Sequence, residues 1–393
     1  MIRIGFTPIG GENWTGGFYY LKNLLTALSL SESCTIEPVV LSGLGVPEDM
    51  EAALAAISGV EFHQAAISAN QTRSGRLMRA LTLGRDPVMQ SLIEQYRLDA
   101  VFESAEFFGW RLGVPAIAWI PDFQHRLLRD QFSYAAYWRR ELGFRAQIAS
   151  GRTIMFSSND SMNTCLNHYA VARERVALVR FAVMAKAPAD PAVARRIADS
   201  YGLPERFFYL PNQFWQHKNH LLVVEALEML RRDGVEVVVA ASGRPMDPRH
   251  PGHFPALQRR ISESGVSSQF RVLGMIPHDH LMALMCASDA VLNPSLSEGW
   301  STTVEEARSQ GVPLILSDLP VHKEQAGTGA VYFDRHDAGS LANVLRMFGP
   351  LALTDRLHAA HAARASARER VAQFSKDFES AVHQAVTSMQ KPA

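Results

Sequence analysis

Three carboxylates stand close together in SLSEGWSTTVEEARSQGVPLILSD, residues 295–318, at Glu298, Glu305 and Glu306 around a Gly-Trp-Ser-Thr-Thr run. The segment reads as a strand (AVLNPS), a loop (LSEGW), a helix (TTVEEARSQ) and a second strand (PLILSD), with Gly311 and Pro313 as a helix stop. Thr302 and Glu305 have the T-x-x-E spacing of a capping box, which gives Glu305 a structural task. Glu298 falls in the loop past the carboxyl end of a strand, where doubly wound sheets bind ligands. Glu306 falls about one turn inside the following helix, whose free N–H groups favour anions. A phosphate at the helix end, with a carboxylate accepting hydroxyls on either side, is the arrangement a nucleotide sugar asks for. The plain alternative for an E-x7-E spacing is two solvated surface acids.

The elements that must position these residues alternate along the chain. Short apolar or β-branched runs (MIRIGF, TIEPVVLS, LDAVFES, VPAIAWIP, RTIMFSS, RVALVR) are separated by helical patterns such as Phe18, Leu21, Leu24, Leu25 and Leu28. The pattern weakens over residues 182–204 around AVMAKAPADP, which suggests a connector. It restarts with FFYLPN, VEVVVAASG, FRVLG, AVLNPS, PLILSD and VYFD. Alternating strands and helices build parallel sheets, and 393 residues exceed one ordinary core, so two doubly wound α/β domains are expected.

With that framework in place, PSLSEGWSTTVEEARSQGVPLILSDLPVHKEQAG closely resembles the donor-binding segment of retaining glycosyltransferases of family 4, which have the GT-B fold. The resemblance implies two Rossmann-like domains with a cleft between them: an acceptor-side domain over residues 1–185, a donor-side domain over 186–365, and a terminal helix, 366–393, that crosses back to the first. It implies that Glu298 faces the transferred sugar and that Glu306 accepts the ribose hydroxyls. The backbone N–H groups from Gly299 through Trp300, Ser301 and Thr302 to Thr303 would meet sugar hydroxyls or the diphosphate.

Other segments carry the resemblance further. LPNQFWQHKNHLLVVEAL keeps the family's phosphate-neutralising lysine as Lys218 but has Gln213 where the family has arginine, so Asn212, Gln213 and His217 are the candidates to compensate by hydrogen bonding. GGENWTGGFYYLKNLL opens the first helix, and its Gly16 and Gly17 match a glycine pair that lets backbone approach a ligand. In AIAWIPDFQHRLLRDQFS the family's His-Asp pair is represented by Pro121 and Asp122, with His125 one turn further on, either replacing the missing histidine or serving as an ordinary structural one. VVVAASGRPMDP places Gly243 and Arg244 after a strand, where the family approaches the nucleotide. Ser158 or Asn159 is a helix cap, and His278 and His280 of PHDHLMAL lack a third ligand for a metal and belong to a cap region.

Composition narrows the function classes. Lys+Arg 39 balance Asp+Glu 39, which argues against a dedicated nucleic-acid binder. The 3 cysteines are scattered, the N-terminus lacks a signal-like apolar run, and no stretch approaches the roughly 20 apolar residues of a membrane span, so a cytoplasmic setting is expected. Arg126, Arg129, Arg139, Arg140 and Arg145 form either a solvated face or a basic face for peripheral contact with the membrane or an anionic glycan. There is no D-x-D, so no metal or other cofactor is expected. The resemblance implies retaining transfer of a hexose from a GDP- or UDP-sugar to a glycan or lipid-linked acceptor in surface polysaccharide assembly. A non-catalytic nucleotide-sugar-binding protein and a sugar-nucleotide 2-epimerase of the same fold are the alternatives.

Overall fold

The computed structural model describes residues 1–8, 15–43, 46–65, 73–104, 106–185 and 190–390. The chain divides into two compact units. The first comprises Met1–Arg126, Ser133–Met184 and Glu369–Ala393, and the second comprises Leu127–Phe132 and Ala185–Arg368. The segment Leu127–Phe132, expected with the first domain, therefore belongs to the second unit.

The first unit is built on seven parallel strands: β1 (Ile2–Phe6), β2 (Ile36–Ser42), β3 (Glu61–Gln64), β4 (Ala100–Ser104), β5 (Ala116–Trp119), β6 (Thr153–Phe156) and β7 (Val176–Leu178), in the order β3-β2-β1-β4-β5-β6-β7. Strands β4, β5 and β6 are buried along their whole length, which is why their sequences are mainly apolar rather than alternating; the charged exception, Glu103 of β4, pairs with Arg152 at 2.9 Å. β3, with the polar sequence EFHQ, is the exception and sits at the edge of the sheet. The end of the long helix Leu353–Gln390 supplies Phe374 and Phe378 to this core, where Phe374 meets Tyr20 and Phe181, and Phe378 meets Phe6 and Phe102.

The second unit holds six parallel strands: β8 (Phe208–Pro211), β9 (Val239–Ser242), β10 (Phe270–Gly274), β11 (Ala290–Asn293), β12 (Leu314–Ser317) and β13 (Ala330–Phe333), in the order β10-β9-β8-β11-β12-β13. The order reverses between β8 and β11, so the loops leaving the carboxyl ends of those strands face the crevice where doubly wound sheets bind ligands. The expected connector around residues 182–204 contains a helix, Pro191–Ser200, which begins with an Asp190 cap and a proline and belongs to the second unit. Its Ala198, with Leu203, packs into a cluster with Leu284, Met285 and Val304.

The helix Thr302–Gln310, which carries Glu306, ends at Gly311 with φ 70°. A Cβ there would lie 2.6 Å from the carbonyl carbon and oxygen of Ala359 in the long helix, so both the left-handed backbone and the close helix contact require glycine. Gly311→Ala is expected to lower stability by about 1–3 kcal/mol or more, read from chemical denaturation.

Candidate active site

The loop after β8 and the loop after β11 meet through an ion pair: Lys218 Nζ lies 2.6 Å from Glu298 Oε1. Lys218 ends a short 3-10 turn, Gln216–Lys218, and the next residue, Asn219, takes a left-handed conformation at φ 58° before the helix His220–Arg232 begins. Asparagine tolerates that conformation, and its Nδ2 donates to the Pro294 and Arg335 carbonyl oxygens at 3.2 and 3.0 Å, fixing the turn that aims Lys218. On the other side, the Ser295 hydroxyl lies 2.7 Å from both Glu298 Oε1 and Asn293 Oδ1. Burial, the largest single influence, works against the Glu298 carboxylate, but the charge of Lys218 together with the hydrogen bonds from Lys218 and Ser295 and the coupling to His322 holds the group below the usual carboxylate range.

Around this pair the strand ends are tied together. Asn212 Nδ2 donates to Asn293 Oδ1 at 3.3 Å, Asn293 Nδ2 donates to Ser301 Oγ at 2.9 Å, and Thr303 Oγ1 lies 3.2 Å from the Pro211 carbonyl oxygen and 3.3 Å from Asn212 Oδ1. Gln213, expected to compensate for a missing arginine, uses its side-chain oxygen to accept the Arg244 N–H at 2.8 Å. That bond braces the loop after β9, where Gly243 has φ 148° and a Cβ would fall 2.4 Å from the Asn212 carbonyl oxygen. His217 is buried, with Nδ1 3.0 Å from Arg249 Nη2.

The helix start differs from the capping-box expectation. Ser301, not Thr302, is the N-cap, and its hydroxyl accepts the Val304 N–H. Glu305 is buried beside Arg308, with Oε1 2.5 Å from Arg308 Nη1. The Ser301 N–H, expected to meet a ligand, instead donates to Gln325 Oε1 at 3.2 Å, while Gln325 Nε2 donates to the Ser301 carbonyl oxygen at 2.8 Å. Glu306 is half-buried and lies 3.2 Å from His278 Nε2, and His280 Nδ1 meets the Tyr201 hydroxyl at 2.8 Å. The two histidines thus serve different partners, and the helix cap is Pro277. Among the described residues no group of three or more His, Cys, Asp or Glu is placed to hold a metal ion, and no described helix is long and apolar enough to cross a membrane.

In the first unit, Gly16 and Gly17 lie in the first turn of the helix Thr15–Ser29, while residues 9–14 of that motif fall outside the described residues. Asp122 pairs with Arg140 at 3.0 Å and accepts the Gln124 N–H at 2.9 Å. Burial works to raise its pKa, and Arg140, the Gln124 N–H and His125 together leave it below the usual range. His125, a candidate catalytic histidine by sequence, is wholly buried instead. Its Nε2 lies 3.1 Å from Glu141 Oε2, and burial depresses its pKa. Glu141 also gathers Arg126, Arg145 at 2.7 Å and the Tyr169 hydroxyl at 2.8 Å, so His125 is one part of a core polar cluster. Of the arginines expected on one face, Arg126, Arg140 and Arg145 have carboxylate partners in this way.

Sequence reasoning gave no role to Asn293, Ser295, Gln325 or His322, all of which surround the Lys218–Glu298 pair or the helix start. LPVHKEQAG contained the last two, but a motif does not say which of its side chains turn inward.

Two parallel doubly wound units with these switch-point loops define the GT-B fold. A solved structure of Anabaena HepE in complex with UDP and glucose superposes with a TM-score of 0.72 at 14% identity, covering 98% of this chain and 100% of that one. A glycosyltransferase from Rickettsia africae gives a TM-score of 0.69 at 15% identity, with 98% of each chain covered. Residues 196–366 match the family "Glycosyl transferases group 1", so the second unit carries a glycosyltransferase group 1 domain. The O-antigen chain mannosyltransferase RfbU of Salmonella typhimurium is 24% identical over 143 residues, which span 36% of this chain and 38% of that protein.

His220, which opens the helix after the Lys218 turn, is stacked on Phe214 with ring centroids 4.5 Å apart. Burial pushes its imidazole down to about 3, with His253 and Lys218 adding to the effect. An unfolded histidine titrates near 6.5, so as pH falls from about 6.5 towards 3 the unfolded chain takes up a proton that the native state refuses, and stability falls. His220→Phe is expected to flatten the decline of Tm between pH 6.5 and 4, measured by thermal melts across that range.

Proposed function

We propose that this protein is a retaining, metal-independent glycosyltransferase that moves a hexose from a nucleotide diphosphate sugar to a hydroxyl of a glycan or lipid-linked acceptor in surface polysaccharide assembly. The observation that carries this reading is the Lys218–Glu298 pair, held where β8 and β11 diverge in a glycosyltransferase group 1 domain. The O-antigen role in the name of one relative supports a polysaccharide setting.

The chemistry follows from the donor inventory. A lysine ammonium has three N–H donors; Glu298 takes one, which leaves others for the diphosphate. Transfer breaks the bond from the anomeric carbon to the phosphate oxygen and forms one to the acceptor oxygen on the same face. The acceptor proton passes to the departing phosphate oxygen. Lys218 meets the charge that develops on that leaving group, and Glu298, ionised and fixed by Ser295, orients the sugar. Glu306 accepts the ribose hydroxyls. The first-helix glycines, Gly16 and Gly17, are assigned with Arg244 to the donor, and Asp122 to the catalytic group.

Calorimetry with UDP, GDP, ADP and dTDP, without added metal, tests the donor site. One nucleotide is expected to bind selectively, and Glu306→Ala to weaken it by about ten- to a hundredfold, the loss of a hydrogen bond to a charged group. Glu298→Ala is expected to leave nucleotide binding in place and lower turnover on the order of a hundredfold. Turnover equal to wild type would remove Glu298 from the mechanism. Release of epimerised sugar without acceptor would move the protein to the epimerase class.

A further inference from the structure

The short helix Pro320–Ala326, which follows β12, carries a histidine that the foregoing mechanism does not use. His322 is wholly buried. Its Nδ1 lies 3.0 Å from the Ser317 carbonyl oxygen and 3.1 Å from Ser317 Oγ. A carbonyl oxygen only accepts, and Ser317 Oγ gives its own proton to the Ser295 carbonyl oxygen at 2.7 Å. Nδ1 therefore carries the hydrogen, and the neutral ring presents a lone pair at Nε2.

That Nε2 is buried and has no hydrogen-bond partner among the described residues. A buried acceptor without a partner is unfavourable, and such an atom calls for an explanation, of which a water, an ion or a ligand group that completes it is one. Burial pushes the His322 imidazole down to about 4, against an upward pull from Glu298, so the ring is neutral near pH 7. The coupling is mutual, since a charge on the His322 ring would favour the ionised Glu298 carboxylate as Lys218 does. The ring and the ion pair thus share one electrostatic environment, joined also through Ser317 and Ser295.

We propose that His322 Nε2 accepts a hydrogen bond from a hydroxyl of the transferred sugar, which makes His322 a specificity-determining residue of the donor site. The inference rests on the donor-site reading above. The chemistry selects the sugar over the rest of a donor: a lone pair needs a proton to receive, a diphosphate at neutral pH has none to give, and the ribose is assigned to Glu306. What remains beside Glu298 is a hexose hydroxyl.

Two substitutions separate this role from a structural one. Asparagine at 322 can keep a donor for Ser317 but is too short to replace Nε2. Glutamine can set an amide oxygen near the depth of Nε2 while giving up the Ser317 bond. Calorimetry with UDP, GDP, UDP-glucose and GDP-mannose then compares the nucleotide with its sugar form. His322→Asn is expected to lose about tenfold in affinity for the nucleotide sugar that wild type prefers while holding the bare nucleotide as before, and His322→Gln to retain most of the sugar's contribution. If both variants bind the nucleotide sugar as wild type does, the inference is overturned. It is equally overturned if His322→Gln is the more damaged and nucleotide and nucleotide sugar weaken together, which is the signature of the Ser317 contact alone. A wild type that binds none of the four probes overturns the donor-site reading itself, an outcome distinct from the other two.

Discussion

Lys218 and Glu298 lose most of their water in the second unit, and each is tolerated there because the other lies 2.6 Å away. The two residues are 80 positions apart in sequence, so the pair exists only when β8 and β11 are adjacent and their following loops are fully formed. Removing one partner would leave the other charge buried and uncompensated, a situation that costs several kcal/mol in proteins generally. Much of the surrounding structure serves to make the pair geometrically unique. Asn219 bends the chain before it, Ser295 fixes the carboxylate, and Asn212 and Asn293 link the two strand ends.

The helix start illustrates a second consequence. A free helix N-terminus offers several N–H groups to an anion, but here Gln325 takes the Ser301 N–H and Ser301 Oγ takes that of Val304. These bonds fix the orientation of the first turn without help from a ligand. Gln213, which stands where the resembled family has arginine, is likewise spent within the protein, its carbonyl accepting the Arg244 N–H.

The architecture was legible because fully buried parallel strands favour apolar runs, as in AIAW, LILS and AVLN, while AVFES places a charge, Glu103, in the sheet that Arg152 neutralises at 2.9 Å. β3 escaped notice because an edge strand packs on one side only and tolerates EFHQ. Glu298 and Lys218 are singled out in sequence by the resemblance of their motifs, and nothing in their spacing announces that they touch. The capping residue was displaced by one position because Ser301 and Thr302 are both competent caps, and the choice is made by the Asn293 amide that meets the Ser301 hydroxyl. His125 stays open in sequence for a related reason: a histidine one turn beyond a strand looks the same whether its ring faces a ligand or, as here, Glu141 in the core.

His322 and His220 show why burial has to be seen in three dimensions before a histidine can be read. Both rings are wholly buried in the second unit and both are depressed by that burial, yet they differ in what surrounds them. His220 stacks on Phe214 against the core, where an apolar ring of similar size could take its place. His322 lies among serines, with one nitrogen fixed by Ser317 and Glu298 as the strongest charge it feels. The fixed Nδ1 proton determines the tautomer, the tautomer determines that Nε2 accepts rather than donates, and low basicity keeps it so across the neutral range. A preorganised acceptor of this kind adds directional selectivity at little entropic cost on binding, because the ring is already immobilised by the fold.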